Sequence, residues 1–194
     1  MSKKLKLSDI LVTVVIAVLF AVIYRLWGPV SEVVKLVGVQ ADQLVYGMWF
    51  IASTVAFLLI RKPGIALLAE AAAASGELVM GSQYGVEALT YGIMQGLGAE
   101  LVFALFAYRK ASLSSACLAA VGAAAGSLVM DVYKGSMADL VSWNLALYIV
   151  FRFVGSVFFT GICAYYLVKA LEATGVTSLV RPASQDDYKA LDFK

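Results

Sequence analysis

The chain has 194 residues, of which 62% are apolar or aromatic and 14% are charged, against about 25% charged in soluble domains. A soluble domain of this length has no interior large enough for so much apolar surface, so the chain reads as an integral membrane protein. The net charge of +2 carries no nucleic-acid signal, and the absence of any histidine excludes Ser-His and Cys-His catalysis and histidine-ligated metals.

No Gly-x-x-x-x-Gly-Lys-Ser/Thr loop for nucleotide phosphates occurs. Cys117 and Cys163 lie in apolar runs without Cys-x-x-Cys spacing and read as small buried residues. The chain is therefore expected not to be an enzyme and to carry no cofactor. Alternating segments of a β-barrel are missing. Six stretches approach the roughly 20 apolar residues that a bilayer core requires, so the expected fold is an all-α bundle of six transmembrane helices.

In chain order, the first span covers about 9–27. It is long and lacks a small-residue cleavage site, which predicts a retained helix rather than a signal peptide. Residues 28–40 follow, where Val33, Val34 and Val37 recur at helical spacing and predict a partly interfacial helix. The second span covers 42–60 and leads through Arg61, Lys62 and Pro63 into an Ala-rich third span, 63–80. On that helix Glu70, Ala73, Ala74 and Glu77 share one face. After the loop 81–87 comes the fourth span, 88–108, with Tyr91 and Gln95 one turn apart and Gly92, Gly96 and Glu100 on a neighbouring stripe. Arg109 and Lys110 precede the fifth span, 113–133, with Asp131 near its end. A loop at 134–143 leads to the sixth span, 144–170, where Asn144, Tyr148, Arg152 and Gly155 follow one face. Residues 1–175 are expected to form one six-helix domain, and 176–194 a polar cytoplasmic tail.

Basic residues predict the topology. With the N-terminus inside, the cytoplasmic side holds Lys3, Lys4, Lys6, Arg61, Lys62, Arg109, Lys110 and Lys169, with Arg181, Lys189 and Lys194 in the tail. The outside holds Lys35 and Lys134, and Arg25 lies near the outer end of the first helix. This bias places both termini in the cytoplasm. The longer loops are then outside, and loops on a rigid scaffold carry function.

Polar residues inside spans are costly unless paired or wet. Glu70, Glu77, Gln95, Glu100, Asp131 and Arg152 are such residues. Their stripes can converge on an outward-open pocket, with Trp49, Tyr84, Tyr91, Trp143, Asn144 and Tyr148 as further candidates. Structural readings stand beside this one. Arg152 can pair with Glu70 or Glu100 as a bolt, Asp131 can be interfacial and hydrated, and Gly92/Gly96 and Gly122/Gly126 fit close helix packing. Aromatics such as Tyr24, Trp27, Tyr46 and Tyr133 fit an interfacial belt. A pocket of carboxylates, amides and aromatics suits a small organic cation with hydrogen-bonding edges. A phosphorylated ligand would need several basic groups, and this pocket offers few.

Three segments carry a family resemblance: LSDILVTVVIAVLFAVIYRLWGP (7–29), GELVMGSQYG (76–85) and QGLGAELVFALFAYRK (95–110). They resemble the YkoE-type substrate-binding S-components of energy-coupling-factor (ECF) vitamin transporters. The resemblance implies capture of extracellular thiamin or its hydroxymethylpyrimidine moiety in a prokaryotic plasma membrane. It also implies a membrane coupling (T) subunit and two ATPase subunits as partners. Ala17 and Ala21 fit the small-residue patch by which such a chain docks the coupling subunit. In thiamin, Glu77, Gln95 or Glu100 can accept from the exocyclic amine. Tyr84, Tyr91, Trp49 or Trp143 can stack on the rings, Asp131 can balance the thiazolium charge, and Asn144 or Tyr148 can reach the hydroxyl. Another vitamin or precursor stays open as the ligand. A self-contained small-cation carrier or channel is a further alternative, opposed by the small size and the lack of a visible internal repeat.

Overall fold

A bilayer leaves helices as the simplest way to satisfy every backbone group within one segment, and among the described residues there is no strand. The computed structural model describes residues 5–38 and 40–175. Lys3, Lys4, Arg181, Lys189, Lys194 and the tail 176–194 lie outside the described residues.

Helix α1 spans Leu7–Lys35, about 44 Å at 1.5 Å per residue. Asp9 opens it by accepting from the Lys6 backbone N–H at 2.6 Å. The helix continues through Pro29, so residues 28–35 are not a separate interfacial helix. The missing N–H of Pro29 releases only one carbonyl, a turn earlier. Val30 and Val33 form the exposed face of α1 there, while Gly28 and Ser31 turn inward.

The second span is broken. It runs as α2 (Asp42–Val45), a 3₁₀ turn (Tyr46–Phe50) and α3 (Ile51–Ile60). Every residue of α3 is buried, as expected of a helix with eight apolar residues in ten and no charge. Helix α4 (Ile65–Val79) has 15 residues, about 22 Å against a bilayer core of about 30 Å. Helices α5 (Val86–Leu105) and α6 (Leu113–Lys134) follow, the latter capped by Ser112 and closed by Gly135 at φ +72°. Helix α7 (Ser142–Ser156) passes through a π-helical segment (Val157–Cys163) into α8 (Ala164–Ala173). Among the described residues, five stretches are long and apolar enough to cross a membrane: Leu7–Lys35, Asp42–Ile60, Val86–Leu105, Leu113–Lys134 and Ser142–Ala173.

Small residues set the helix spacing. A methyl group at Gly92 would collide with Ala74 of α4, and one at Gly122 or Gly126 would collide with the α5 backbone. Both glycine pairs therefore serve close packing. Helix α4 lies between α1, α3 and α5, and its Gly76 approaches Ala21 so closely that a Cβ there would sit 2.7 Å from the alanine methyl.

That contact corrects the reading of the first helix. Ala17 is 3% exposed and Ala21 is 1% exposed, so the pair is used inside the chain rather than offered to a partner. Val14, Val15, Val18, Leu19 and Val22 form the outward face instead. Ala17→Trp is therefore expected to overpack the core and destabilise the chain by about 1–3 kcal/mol, read as a lower Tm in detergent. An unchanged Tm would show that this position faces outward.

The ends of the bundle differ. One carries Arg61, Lys62, Arg109, Lys110 and Lys169. Here Lys62 pairs with buried Asp9 at 2.5 Å and Arg61 meets Glu172 at 3.3 Å. The other end carries residues 36–38 and 40–41 and the connections 80–85 and 135–141, and it is there that the bundle opens.

Candidate functional site

At that loop end lies a cavity of about 310 Å³, at the lower end of the range for small-molecule sites. Ser31 and Lys35 of α1 contribute to its wall, as do Asp42, Gln43, Tyr46 and Trp49 of the broken second span. Helix α4 contributes Ala74 and Glu77. Tyr84 comes from the 80–85 loop, and Glu87, Ala88, Tyr91 and Gln95 from α5. Asp131, Ser136, Tyr148 and Arg152 complete the wall.

The helix break places the two aromatics of the second span. A break at membrane depth frees backbone groups that must find partners, and side chains supply them. Trp27 Nε1 donates to Val45 O at 3.3 Å, Thr160 Oγ1 to Gly47 O, and Ser53 Oγ to Phe50 O at 2.6 Å. Where α3 starts, the Ala52 N–H donates to Tyr24 Oη at 3.1 Å and the Ser53 N–H to Glu70 Oε2 at 3.0 Å. Tyr24 also donates to Glu70 at 3.1 Å. Glu70 Oε2 thus serves as the acceptor that the first backbone N–H groups of α3 need. With the backbone so held, Tyr46 and Trp49 face the cavity.

Arg152 is the hub of one wall. It is 0% exposed, and its donors reach Gln43 Oε1 and Ser127 Oγ, each at 2.6 Å, and Tyr148 Oη at 2.7 Å. Its guanidinium lies 3.1 Å from Asp131 Oδ2 and 3.4 Å above the Tyr46 ring. Asp131 also accepts from Tyr91 Oη at 2.7 Å and Tyr148 Oη at 2.9 Å. Arg152 therefore pairs with Asp131, not with Glu70 or Glu100, and this pairing already compensates the Asp131 charge. Gln95 Nε2 donates to Tyr46 Oη at 3.4 Å.

The opposite wall is built differently. Glu77 is 3% exposed and accepts from Ser82 Oγ at 2.6 Å. Ser82 Oγ in turn accepts from the Tyr84 N–H at 3.2 Å. The Tyr84 ring stands edge-on to Trp49, with centroids 5.4 Å apart, and its hydroxyl reaches Glu32 at 3.4 Å. Burial pushes the Tyr84 phenol above its ordinary range, so it stays a neutral donor at physiological pH. At the rim, Lys35 pairs with Glu32 at 2.6 Å and Lys134 pairs with Glu87.

Seven of the residues singled out in the sequence thus share the cavity: Trp49, Glu77, Tyr84, Tyr91, Gln95, Asp131 and Tyr148. Three do not line it. Glu100 is spent on the start of α4, where its carboxylate accepts from the backbone N–H of Gly64 (2.6 Å), Ala66 (3.0 Å) and Leu67 (3.3 Å). Trp143 is 71% exposed, and Asn144 also lies outside the lining. Gln43, Tyr46 and Arg152 join the wall although sequence reasoning did not select them as ligand contacts. Arg152 had stood out as an intramembrane charge, whereas Gln43 and Tyr46 carry no pattern that separates them from an ordinary helix start.

Removing one partner of a buried ion pair leaves an uncompensated charge, at a cost of about 3–5 kcal/mol. Asp131→Leu and Arg152→Met are each expected to destabilise by about that amount. The double variant should recover much of the loss in a thermal unfolding series, whereas a simple sum of the two effects would contradict the pairing.

Comparisons with known proteins bear on this site. A family described as "ABC-type cobalt transport system, permease component" matches residues 8–126. The "Putative HMP/thiamine permease protein YkoE" of Bacillus subtilis (strain 168) is 34% identical over 175 residues, covering 90% of this chain and 88% of that protein. A solved structure described as "Crystal structure of an S-component of ECF transporter" superposes with a TM-score of 0.86 at 33% identity, covering 90% of this chain and 89% of the other.

Proposed function

The chain belongs to the S-component family of ECF transporters, and from that premise we propose that it captures extracellular thiamin or its hydroxymethylpyrimidine moiety for import. It is a multi-pass membrane protein and not an enzyme. In this proposal both termini are cytoplasmic, and α4, held between α1, α3 and α5, completes a set of six membrane segments in a single domain of residues 1–175. The loop end then faces outward. A T subunit and two ATPase subunits supply the energy, and tilting of the bundle releases the ligand inside.

The observation that carries the ligand class is the chemistry of the cavity wall. Trp49, Tyr46, Tyr84, Tyr91 and Tyr148 supply aromatic faces and hydroxyls, Gln95 supplies an amide, and Glu77 supplies a buried carboxylate. Aromatic faces and a carboxylate attract an organic cation, while the amide and phenols read the edges of a heterocycle. Thiamin joins an aminopyrimidine to a cationic thiazolium and needs both. This donor set also favours an organic ligand over the cobalt in the family description, because among the described residues no three His, Cys, Asp or Glu side chains gather to hold a metal ion.

Charge pairing adds a restriction. Among the described residues that line the wall, the cations Lys35 and Arg152 are already paired with Glu32 and Asp131, so a phosphate ester of the ligand meets no unpaired lining cation. The test is a titration of the purified full chain in detergent, stripped of co-purified ligand, following tryptophan fluorescence. Saturable binding of thiamin is expected, quenched or shifted through Trp49. Thiamin diphosphate should bind at least about tenfold more weakly, the equivalent of about 1.4 kcal/mol. Absence of any response to thiamin and to hydroxymethylpyrimidine, checked by calorimetry, would overturn the proposal.

A further inference from the structure

The charged groups of the cavity wall are distributed unequally. Asp131 is matched by Arg152, Glu87 by Lys134, and Lys35 by Glu32. Asp42, at the rim, receives Gln43 Nε2 at 2.9 Å. Glu77 is different: it is almost fully buried, and its hydrogen-bond partner is the neutral hydroxyl of Ser82. Arg25 attracts it at longer range, but the two form no ion pair. The Ser82–Tyr84 chain ties Glu77 to the edge-on Tyr84–Trp49 pair, so this side of the cavity joins a carboxylate to aromatic faces. The other side holds Gln95 with the hydroxyls of Tyr91 and Tyr148 around a neutralised ion pair.

Resting on the thiamin-class reading above, we infer that the cavity is polarised and fixes the direction of its ligand. The cationic ring lies between Glu77 and the Trp49–Tyr84 pair, and the hydrogen-bonding heterocycle lies against Gln95, Tyr91 and Tyr148. Glu77, and not Asp131, is the carboxylate that answers the ligand's positive charge. The physical reason is that Asp131 has its charge cancelled by a guanidinium 3.1 Å away, so a second cation gains little there. A carboxylate without a cationic partner, shielded from water, attracts a cation far more strongly than the same group in solvent. The neutral wall, by contrast, offers an amide and phenols with fixed donors and acceptors, which suit an aminopyrimidine. Glu77 is in this sense the specificity-determining residue for charge, and the Gln95 side reads shape and hydrogen bonds.

Three probes decide this on the full chain in detergent: thiamin, its uncharged isostere in which a thiophene replaces the thiazolium, and hydroxymethylpyrimidine. The wild-type chain should bind thiamin about tenfold or more tighter than the isostere. Glu77→Gln should bring those two affinities within about twofold of each other while leaving the pyrimidine within about twofold of its wild-type value. Equal wild-type affinity for thiamin and the isostere overturns the inference without any variant, so a poorly folding Glu77→Gln does not protect it. An equal loss of thiamin and pyrimidine binding in a folded Glu77→Gln also overturns it, by placing the pyrimidine at Glu77. Wild-type binding of neither thiamin nor pyrimidine is a separate result: it defeats the thiamin-class reading, and this inference with it.

Discussion

Backbone groups released by a break in a membrane helix must be satisfied by something other than water, and the rest of this structure depends on how residues 46–50 meet that demand. The chain ends α2 at Val45 and restarts at Ile51, and side chains from α1, α3, α4 and the π-helical segment close the gap. Tyr24 and Glu70 would be expensive in an apolar bundle without that task. With it they fix the start of α3, and the break then holds Tyr46 and Trp49 on the cavity wall. The π-helical segment belongs to the same arrangement. It brings Thr160 to the Gly47 carbonyl, and Gly47 itself lies so close to Ser156 that a Cβ would sit 2.6 Å from its Cα.

The second organising contact is the Arg152 cluster. One guanidinium joins α2, through Gln43, to α6, through Ser127 and Asp131, and to its own helix through Tyr148. It also stacks on Tyr46, so the broken segment is fastened from both sides. Burying an ion pair gives little stability in itself. Its consequence here is geometric and electrostatic: the phenols of Tyr91 and Tyr148 are oriented by Asp131, and the charge of that wall is cancelled. Among the described residues that line the cavity, the buried carboxylate without an ion-pair partner is Glu77 of α4.

Much of the fold was legible from apolar run length and from glycine and alanine placement. The stripes Glu70–Glu77, Tyr91–Gln95 and Tyr148–Arg152 are one-turn patterns on regular helices, so periodicity located them and most of the cavity. What was hidden depends on tertiary partners. The segment YGMWF has no proline, and its break is stabilised by side chains up to 113 positions away. Local sequence contains none of that information. Ala17 and Ala21 show that spacing identifies a face but not what covers it: Gly76 of α4 does. Glu100 lies off the cavity because α4 begins only at Ile65, which leaves the N–H groups of Gly64, Ala66 and Leu67 facing its carboxylate. Trp143 sits at the first turn of α7, where a helix start can face either way. Arg152 had several acids within reach, and only the packing of α6 on α7 selects Asp131.

In the proposed function one cavity, walled by α1, the broken second span and α4–α7, holds the ligand. A structure of the full chain solved in the presence of thiamin tests this most directly. Ligand density is expected inside the loop-end cavity, in contact with Trp49 and Gln95 and with Arg152 still paired to Asp131. Thiamin density outside this cavity, or a cavity that remains empty at saturating thiamin, would contradict it.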